Sequence, residues 1–297
     1  MSYDKVEYRA ARRGALGHHG DREQIDRQEA GVTDSPSSSG DGLFAGTAWH
    51  YARYRPGYPE TFFADVVARF RLDGTGRLLD LGCGTGQLTV PLARHVTEAL
   101  GVDPEPEMLV EAAIRARELG VTNVSWAQGS SEDLPGEFGR FTLVTMGRSF
   151  HWMDRERVLL ALDGMVEADG GVVMANDSCL VRPVTEWQRA VEALQPRYLP
   201  ADAFPSLGPA SSDESHESML SRSPFPNVHR VVHEFTREWT VDAIIGYLYS
   251  TSLPLRRLLG DRRAAFEQAV TATLLAIEPS GRFTEPVALE VHTATRG

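Results

Sequence analysis

The chain has 297 residues and a mass of 32.7 kDa, room for two domains or one enlarged α/β domain at roughly 150 residues each. With 42% hydrophobic and 24% charged residues it can bury a sizeable core, which excludes a collagenous or wholly disordered chain. Forty-one acids against thirty bases leave a net charge of -11, and a general grip on nucleic acid is disfavoured because counterion release needs clustered cations.

Residues 1–45 alternate in charge without apolar periodicity and include the Ser/Gly tract Asp34 to Gly42, so a disordered N-terminal extension is expected. An aromatic-rich segment, Trp49 to Pro59, then leads into a helix over Glu60 to Phe70, whose Phe62, Phe63, Val66, Val67 and Phe70 share one face. A regular alternation comes next: strand 77–81, a Gly turn, helix 87–95, strand 98–102, helix 106–119, strands 124–127 and 141–146, helix 155–166 and strand 171–175. Short buried strands separated by helices predict a doubly wound, mostly parallel α/β sheet with ligands at its carboxyl edge.

After Asp177 the rhythm changes to a helix near 184–197, a Pro/Ser-rich loop over 200–215, a strand near 229–239, helices near 241–250 and 261–277, and a strand near 287–293. The late strands can complete the same sheet while the helices form a cap. The expected organisation is a single domain over 46–297, with cap elements at about 178–228 and 240–280.

Cys83 and Cys179 lie far apart, and neither has a partner at zinc-site spacing, so neither a disulfide framework nor a metal site is expected. No run approaches about 18 apolar residues and the first thirty residues are polar, which points away from membrane and export and toward the cytoplasm. Oligomeric state is not legible.

The strongest local signal is Leu78-Leu-Asp-Leu-Gly-Cys-Gly-Thr-Gly-Gln87: a buried strand carrying Asp80, then Gly82, Gly84 and Gly86 opening a helix. Glycines there let the main chain turn tightly and approach a ligand. The spacing is G-x-G-x-G, whereas the dinucleotide fingerprint is G-x-G-x-x-G. Asp103 closes the second strand about twenty residues further on, where a carboxylate can accept from both ribose hydroxyls or cap the next helix.

This first motif resembles that of the class I S-adenosylmethionine-dependent methyltransferases, D/E-x-G-x-G-x-G, a Rossmann-like family with a seven-stranded sheet. The resemblance implies S-adenosyl-L-methionine as cofactor, with S-adenosyl-L-homocysteine as product of an in-line methyl displacement. It places Asp80, Gly82, Cys83, Gly84, Gly86, Asp103, Pro104 and Met108 around that cofactor, with Asp80 helping to hold the loop and the cofactor amine. Gly129-Ser-Ser-Glu-Asp-Leu-Pro135 is similar to the family's G-D-A-E-D-L-P segment at the adenine. Ser130 replaces the usual acid, so Ser130, Ser131, Glu132 or Asp133 would serve, and the same residues can form a helix-capping box.

Met146 to Asp154 (MGRSFHWMD) resembles the A-x-x-F-H-W-F-D stretch of small-molecule members such as the trans-aconitate-methyltransferase-like group, not the N-P-P-Y motif of nucleic-acid amino-methyltransferases. Met146 and Phe150 are thereby placed at the cofactor and Trp152 at the acceptor. His151, with an ordinary pKa of about 6.5, is either a general base or structural. Tyr51-x-x-x-Arg55-Pro-x-Tyr58-Pro59 matches a segment ahead of the glycine motif in the same group, where Arg55 would meet the cofactor carboxylate and Tyr51 close over it, or the segment is an anchoring turn. In the cap, Trp239, Tyr247 and Arg256 either line the acceptor pocket or belong to core and solvated surface.

The implied partner is a small-molecule acceptor, in secondary metabolism by analogy. A nicotinamide-dependent oxidoreductase and a non-catalytic adenosyl-cofactor-binding protein remain as alternatives.

Overall fold

A computed structural model describes residues 44, 46–177, 183–199, 215–251 and 255–297. The expected N-terminal extension, residues 178–182 of the cap and most of the Pro/Ser-rich loop lie outside the described residues.

The parallel part begins with helices α1 (Ala48–Tyr54) and α2 (Glu60–Phe70), then β1 (Arg77–Leu81), α3 (Thr89–Ala93), β2 (Glu98–Asp103), α4 (Pro106–Glu118) and β3 (Val124–Gln128). It continues through β4 (Phe141–Gly147), α5 (Arg155–Asp163) and β5 (Val166–Asn176). Helices α6 (Glu186–Tyr198) and α7 (His216–Ser221) precede β6 (Asn227–Thr240), and α8 (Val241–Leu248), α9 (Leu255–Leu259) and α10 (Arg263–Ile277) precede β7 (Arg282–Thr295).

The seven strands form one sheet in the order β3-β2-β1-β4-β5-β7-β6. The first five are parallel; β7 runs antiparallel to both β5 and β6. This is the doubly wound, mostly parallel Rossmann-like sheet expected. The strand order reverses between β1 and β4, the position at which such sheets hold ligands.

Continuous apolar runs make the central strands: β1 is buried along Leu78 to Leu81 because helices cover both faces. On one side Phe62, Val66, Leu88, Val90 and Val96 pack against the sheet; on the other Phe150, Val158, Leu159 and Leu162 do. A third cluster lies in the cap, where Trp187 and Val191 of α6 meet Phe266 and Val270 of α10, Tyr247 of α8, and Trp239 and Phe283 from the strands.

The boundaries shift where local chemistry overrides periodicity. Residues 87–88 belong to the turn, since Thr89 N–H is already committed to Asp80. Strand β5 starts at Val166, five residues early, so α5 stops at Asp163. Strands β6 and β7 pair from Asn227↔Thr295 to Thr240↔Arg282, whereas β5 pairing ends at Asn176↔Glu290. The hairpin therefore continues past the carboxyl edge of the sheet for eight residue pairs, and Trp239 and Phe283 sit near its far end, where the cap helices pack.

Helix α1 falls in the aromatic-rich segment, where periodicity predicts no helix. It packs between α4 and α8. Its seat on α8 depends on Gly246, where an added Cβ would stand 2.3 Å from ring carbons at the root of Tyr54. Gly246→Ala gains about 1 kcal/mol of helix propensity but forces that ring away at about 1–3 kcal/mol. The expected outcome is a net loss of stability in denaturant unfolding; a variant more stable than the parent would show that Tyr54 is not seated there.

Candidate active site

The glycine turn is built at the mouth of β1. Gly82, Gly84 and Gly86 all have left-handed φ, at 69°, 52° and 73°. Gly82 and Cys83 both donate their N–H to Val102 O on β2, at 2.8 and 3.0 Å. Gly84 N–H donates to Asp103 Oδ2 at 2.8 Å, while Asp103 Oδ1 accepts Glu105 N–H at 3.0 Å. Each Asp103 oxygen thus spends one lone pair on the main chain and keeps another. Burial pushes this carboxyl upward, opposed by those two hydrogen bonds.

The glycines do different work. An added Cβ at Gly86 would come within 2.9 Å of Trp126, so that glycine serves packing between turn and sheet. At Gly84 it would meet only the Tyr51 ring, at 3.6 Å or more, so Gly84 presents bare main chain beneath an aromatic roof.

Asp80 is buried below the turn. It accepts from Thr89 N–H (3.1 Å), Thr89 Oγ1 (2.6 Å) and Thr145 Oγ1 (2.8 Å), joining β1 to α3 and β4. Burial pushes its carboxyl up to about 6 against those bonds. Cys83 is also buried, which raises its thiol pKa and keeps it protonated. Thr85 Oγ1, within the same turn, is buried without a hydrogen-bond partner among the described residues. A small crevice opens here, bordered by Tyr51, Tyr58, Asp80, Gly82, Gln87 and Gly147.

The roof is the strap formed by α1 and the residues after it. Tyr51 meets Phe44 edge-on, and Phe44 meets Trp152 in the same way, both at 6.2 Å between ring centroids. The Arg55 guanidinium lies 5.3 Å from the Tyr51 ring centroid and 5.1 Å from that of Tyr247 on α8, placing it between turn and cap. Gln87 Nε2 holds the strap by donating to Arg55 O at 2.8 Å.

His151 and Trp152 follow β4 in a short 3-10 turn, their rings 5.0 Å apart. Burial lowers the His151 pKa to about 4, with His216, Arg55 and Arg155 adding to the effect. The expected ordinary value near 6.5 is therefore corrected: the imidazole is neutral across the physiological range and a weaker base than one poised near 7.

Other expected residues fall in varied places. Pro104 is exposed and Met108 buried. Met146 (0% exposed) and Phe150 (2%) are core residues packed toward α5, so their side chains belong to the core beneath the site. Ser130 and Asp133 form a reciprocal capping box, with Ser130 N–H donating to Asp133 Oδ2 at 2.6 Å and Glu132 N–H to Ser130 Oγ at 3.2 Å. Ser131 is half-buried and Glu132 exposed beside it.

Of the two readings open for Trp239, the core one fits: its ring packs with Trp187 and Tyr247, and its indole N–H donates to Glu285 Oε2 at 2.8 Å, so it builds the cap core. Arg256 is exposed on α9, close enough to His50 of α1 and to Tyr249 for its charge to pull both pKa values downward. Tyr247 belongs to the same core yet shows its ring to Arg55.

Sequence reasoning missed a buried set of charges at the same edge. Arg148, at the end of β4, meets Asp177 with two parallel bonds, Nε to Oδ1 at 2.7 Å and Nη2 to Oδ2 at 2.9 Å. Burial alone would raise the Asp177 carboxyl, but Arg148 and Arg237 hold it well below the usual carboxylate range. A signal existed: Asp177 follows β5 as Asp103 ends β2, an acid at the carboxyl edge of a parallel sheet.

A family of methyltransferase domains matches residues 78–170. Those residues are similar to a methyltransferase domain. Over 111 residues it is 30% identical to the uncharacterized methyltransferase YcgJ of Bacillus subtilis, covering 37% of this chain and 44% of the relative. Over 68 residues it is 46% identical to the ubiquinone biosynthesis O-methyltransferase of Azorhizobium caulinodans, covering 23% of this chain and 26% of that one. The match thus spans less than half the length of these relatives. Among solved structures, a SAM-dependent methyltransferase of Thiobacillus denitrificans in complex with S-adenosyl-L-homocysteine shares the fold, with TM-score 0.50 and 19% identity over 84% of this chain and 96% of that one. The glycine turn lies inside the matched residues; the strap and cap lie outside them.

Burial around the site dictates a pH response. His50 and His151 are both lowered to about 4, and His216 and His292 are shifted down too, each chiefly by burial. The unfolded chain takes up these protons near 6.5, the folded chain only further down, so stability is full above about 6.5 and drains away as pH falls toward 4. Asp80, raised to about 6, works in the opposite sense, losing its contribution as pH rises through 6. Asp103 and Glu105 are shifted up as well and act in the same sense as Asp80; four histidines against these three carboxyls predict a falling Tm between pH 7.5 and 5, because that window spans the unfolded histidine value near 6.5. His50→Asn together with His151→Asn should flatten that profile, and an unchanged slope would contradict the burial of these rings.

Proposed function

We propose that the chain is an S-adenosyl-L-methionine-dependent methyltransferase acting on a small-molecule acceptor. The observation that carries the reading is the junction of Gly84 N–H with the Asp103 carboxylate, with Gly84 facing the Tyr51 ring, which puts bare main chain and a ribose-type acceptor at one glycine turn. The residues fit such a cofactor: Asp103 retains lone pairs for ribose hydroxyls, Thr85 holds a buried hydroxyl without a partner among the described residues, and Ser130 and Asp133 cap the turn after β3. Arg55, close to Tyr51, serves the carboxylate end. When bound, the cofactor supplies a methyl group already activated by a sulfonium.

The chain's own contribution is alignment and exclusion of water, which together supply much of the catalysis for a preactivated donor. Phe44, Tyr51 and Trp152 close the aromatic roof. His151, neutral in the fold, can take a proton on an imidazole nitrogen from a hydroxyl or thiol acceptor; a carboxylate acceptor needs none. The acidic net charge supports a small acceptor over a nucleic acid.

Calorimetric titration with S-adenosyl-L-homocysteine, with NAD as control, tests the reading. Binding of the first and not the second is expected, and Asp103→Ala should weaken it by about 1–3 kcal/mol, the range for leaving polar groups unpaired. Binding of NAD alone would end the methyltransferase reading, and unchanged affinity in the variant would remove Asp103 from the ribose.

A further inference from the structure

The buried charges continue well beyond Arg148 and Asp177. Asp177 Oδ2 accepts a second guanidinium, Arg237 Nη2, at 2.9 Å, and Arg237 Nη1 donates to Glu285 Oε2 at 3.1 Å. Glu285 Oε1 accepts Gln188 Nε2 from α6 at 3.1 Å, and Oε2 also accepts the Trp239 indole. All four charged side chains are 10% exposed or less. Two guanidiniums and two carboxylates alternate, so the chain of charges is neutral as a whole and no member lacks a counter-ion.

At its other end, Arg148 faces the strap. Nη1 donates to Pro56 O at 2.9 Å and lies 3.5 Å from Gln87 Oε1, and the guanidinium sits 4.4 Å from the Tyr58 ring centroid. Gln87 in turn bonds Arg55 O, so glycine turn and strap hang on one planar cation. Arg148 adopts a left-handed backbone, φ 55°, an uncommon conformation for a residue with a side chain. That geometry is held by Arg148 N–H donating to Ala175 O on β5, two residues before Asp177.

We propose that Arg148 is a positioning residue, the strap end of a buried relay Arg148–Asp177–Arg237–Glu285 that couples seating of the helical cap to closure of the Tyr51 strap over the glycine turn. The physical reason is that a buried ion pair tolerates loss of one partner badly. Arg237 and Glu285 are cross-strand partners on β6 and β7, so the cap enters the relay at Gln188 of α6. If α6 lifts and Glu285 loses that donor, Arg237 is drawn to Glu285 and off Asp177, Asp177 loses its anchor on the β6 side, its fork with Arg148 loosens, and Pro56 and Gln87 lose the donor that fixes them. A cofactor held beneath Tyr51 and an acceptor held beneath the cap would then sense one another without contact. The assignment of those ligands rests on the methyltransferase reading; the coupling itself is a property of the unliganded chain.

The test uses the full-length protein and hydrogen exchange. Arg237→Met removes a side chain that touches Asp177 and Glu285 and has no bond to the strap. It is expected to speed exchange at the strap amides of Tyr51 and Arg55, bonded to Thr47 O and Tyr51 O, by about tenfold, within the range of coupled sites. Faster exchange confined to β6, β7 and α6, with the strap unchanged, would overturn the relay. Should Arg237→Met fail to fold, Arg237→Lys decides on the same readout, since it keeps the charge but cannot span both carboxylates.

Combining Arg148→Lys with Arg237→Met is expected to loosen the strap no further than Arg148→Lys alone, because a relay cut once is already open. Additive effects would mean two independent ion pairs and would also overturn the proposal. Titration with S-adenosyl-L-homocysteine adds the functional arm: Arg237→Met should weaken binding about fivefold, and equal affinity would count against coupling to the site. Failure of the unaltered protein to bind at all would sink the methyltransferase reading and leave the exchange result to judge the relay.

Discussion

Everything at the carboxyl edge depends on how the main chain between β1 and α3 is held. A turn with three left-handed residues has few neighbours of its own to stabilise it, so it is fastened from outside by two aspartates. Asp103 takes the Gly84 N–H from the side of β2, and Asp80 takes both donors of Thr89 from beneath. Either carboxylate in isolation would be costly to bury; each is tolerated because it accepts main-chain or hydroxyl hydrogens. The turn is therefore rigid on its inner side while Gly84 faces Tyr51 across ordinary contact distance. That asymmetry, fastened below and bare above, makes a binding surface out of a connection between strand and helix.

Parallel strands buried on both faces read as short apolar runs, which is why β1 to β4 and the glycine turn are legible in the sequence to within a residue or two. Helix α1 is not, because its Trp49, Tyr51 and Tyr54 point to different neighbours: Trp49 to Arg53 at the surface, Tyr51 to the turn, Tyr54 to Gly246. Period-based reasoning requires one apolar face, and this helix has three contacts instead. Trp239 and Arg256 stay ambiguous in the sequence for a related reason. Aromatic and basic residues in a cap have the composition of a pocket and of a core alike, and only the extension of the β6–β7 hairpin past β5 decides that Trp239 lies among the cap helices. The relay of buried charges is invisible in the sequence because its members come from four separate stretches, and nothing there pairs Asp177 with Arg237 or Gln188 with Glu285.

The hairpin extension explains how a domain of parallel strands supports a cap at all. The matched methyltransferase segment ends at residue 170, within β5. The chain beyond that strand must rise above the sheet without disturbing it, and an antiparallel pair does this by carrying its own hydrogen bonds past the last partner strand. A free two-stranded ribbon is marginal in water. This one is stabilised by burying Trp239, Phe283 and Glu285 against α6, α8 and α10, so cap and hairpin each complete the other's core.

The same desolvation that suits the crevice to a reactive donor also shapes its acid–base chemistry. His151 is itself desolvated, so its protonated form loses hydration while His216, Arg55 and Arg155 add to the effect. The imidazole is thereby always available as an acceptor and only weakly basic. Under the proposed reading, that combination matches an acceptor whose nucleophile needs orientation more than deprotonation. A histidine tuned near 7 would require a neighbouring carboxylate, and the carboxylate that meets the strap's anchor, Asp177, is already shared between Arg148 and Arg237. The burial that orders the strap and the weakness of the base thus have one cause, and loosening the strap would be expected to move both together.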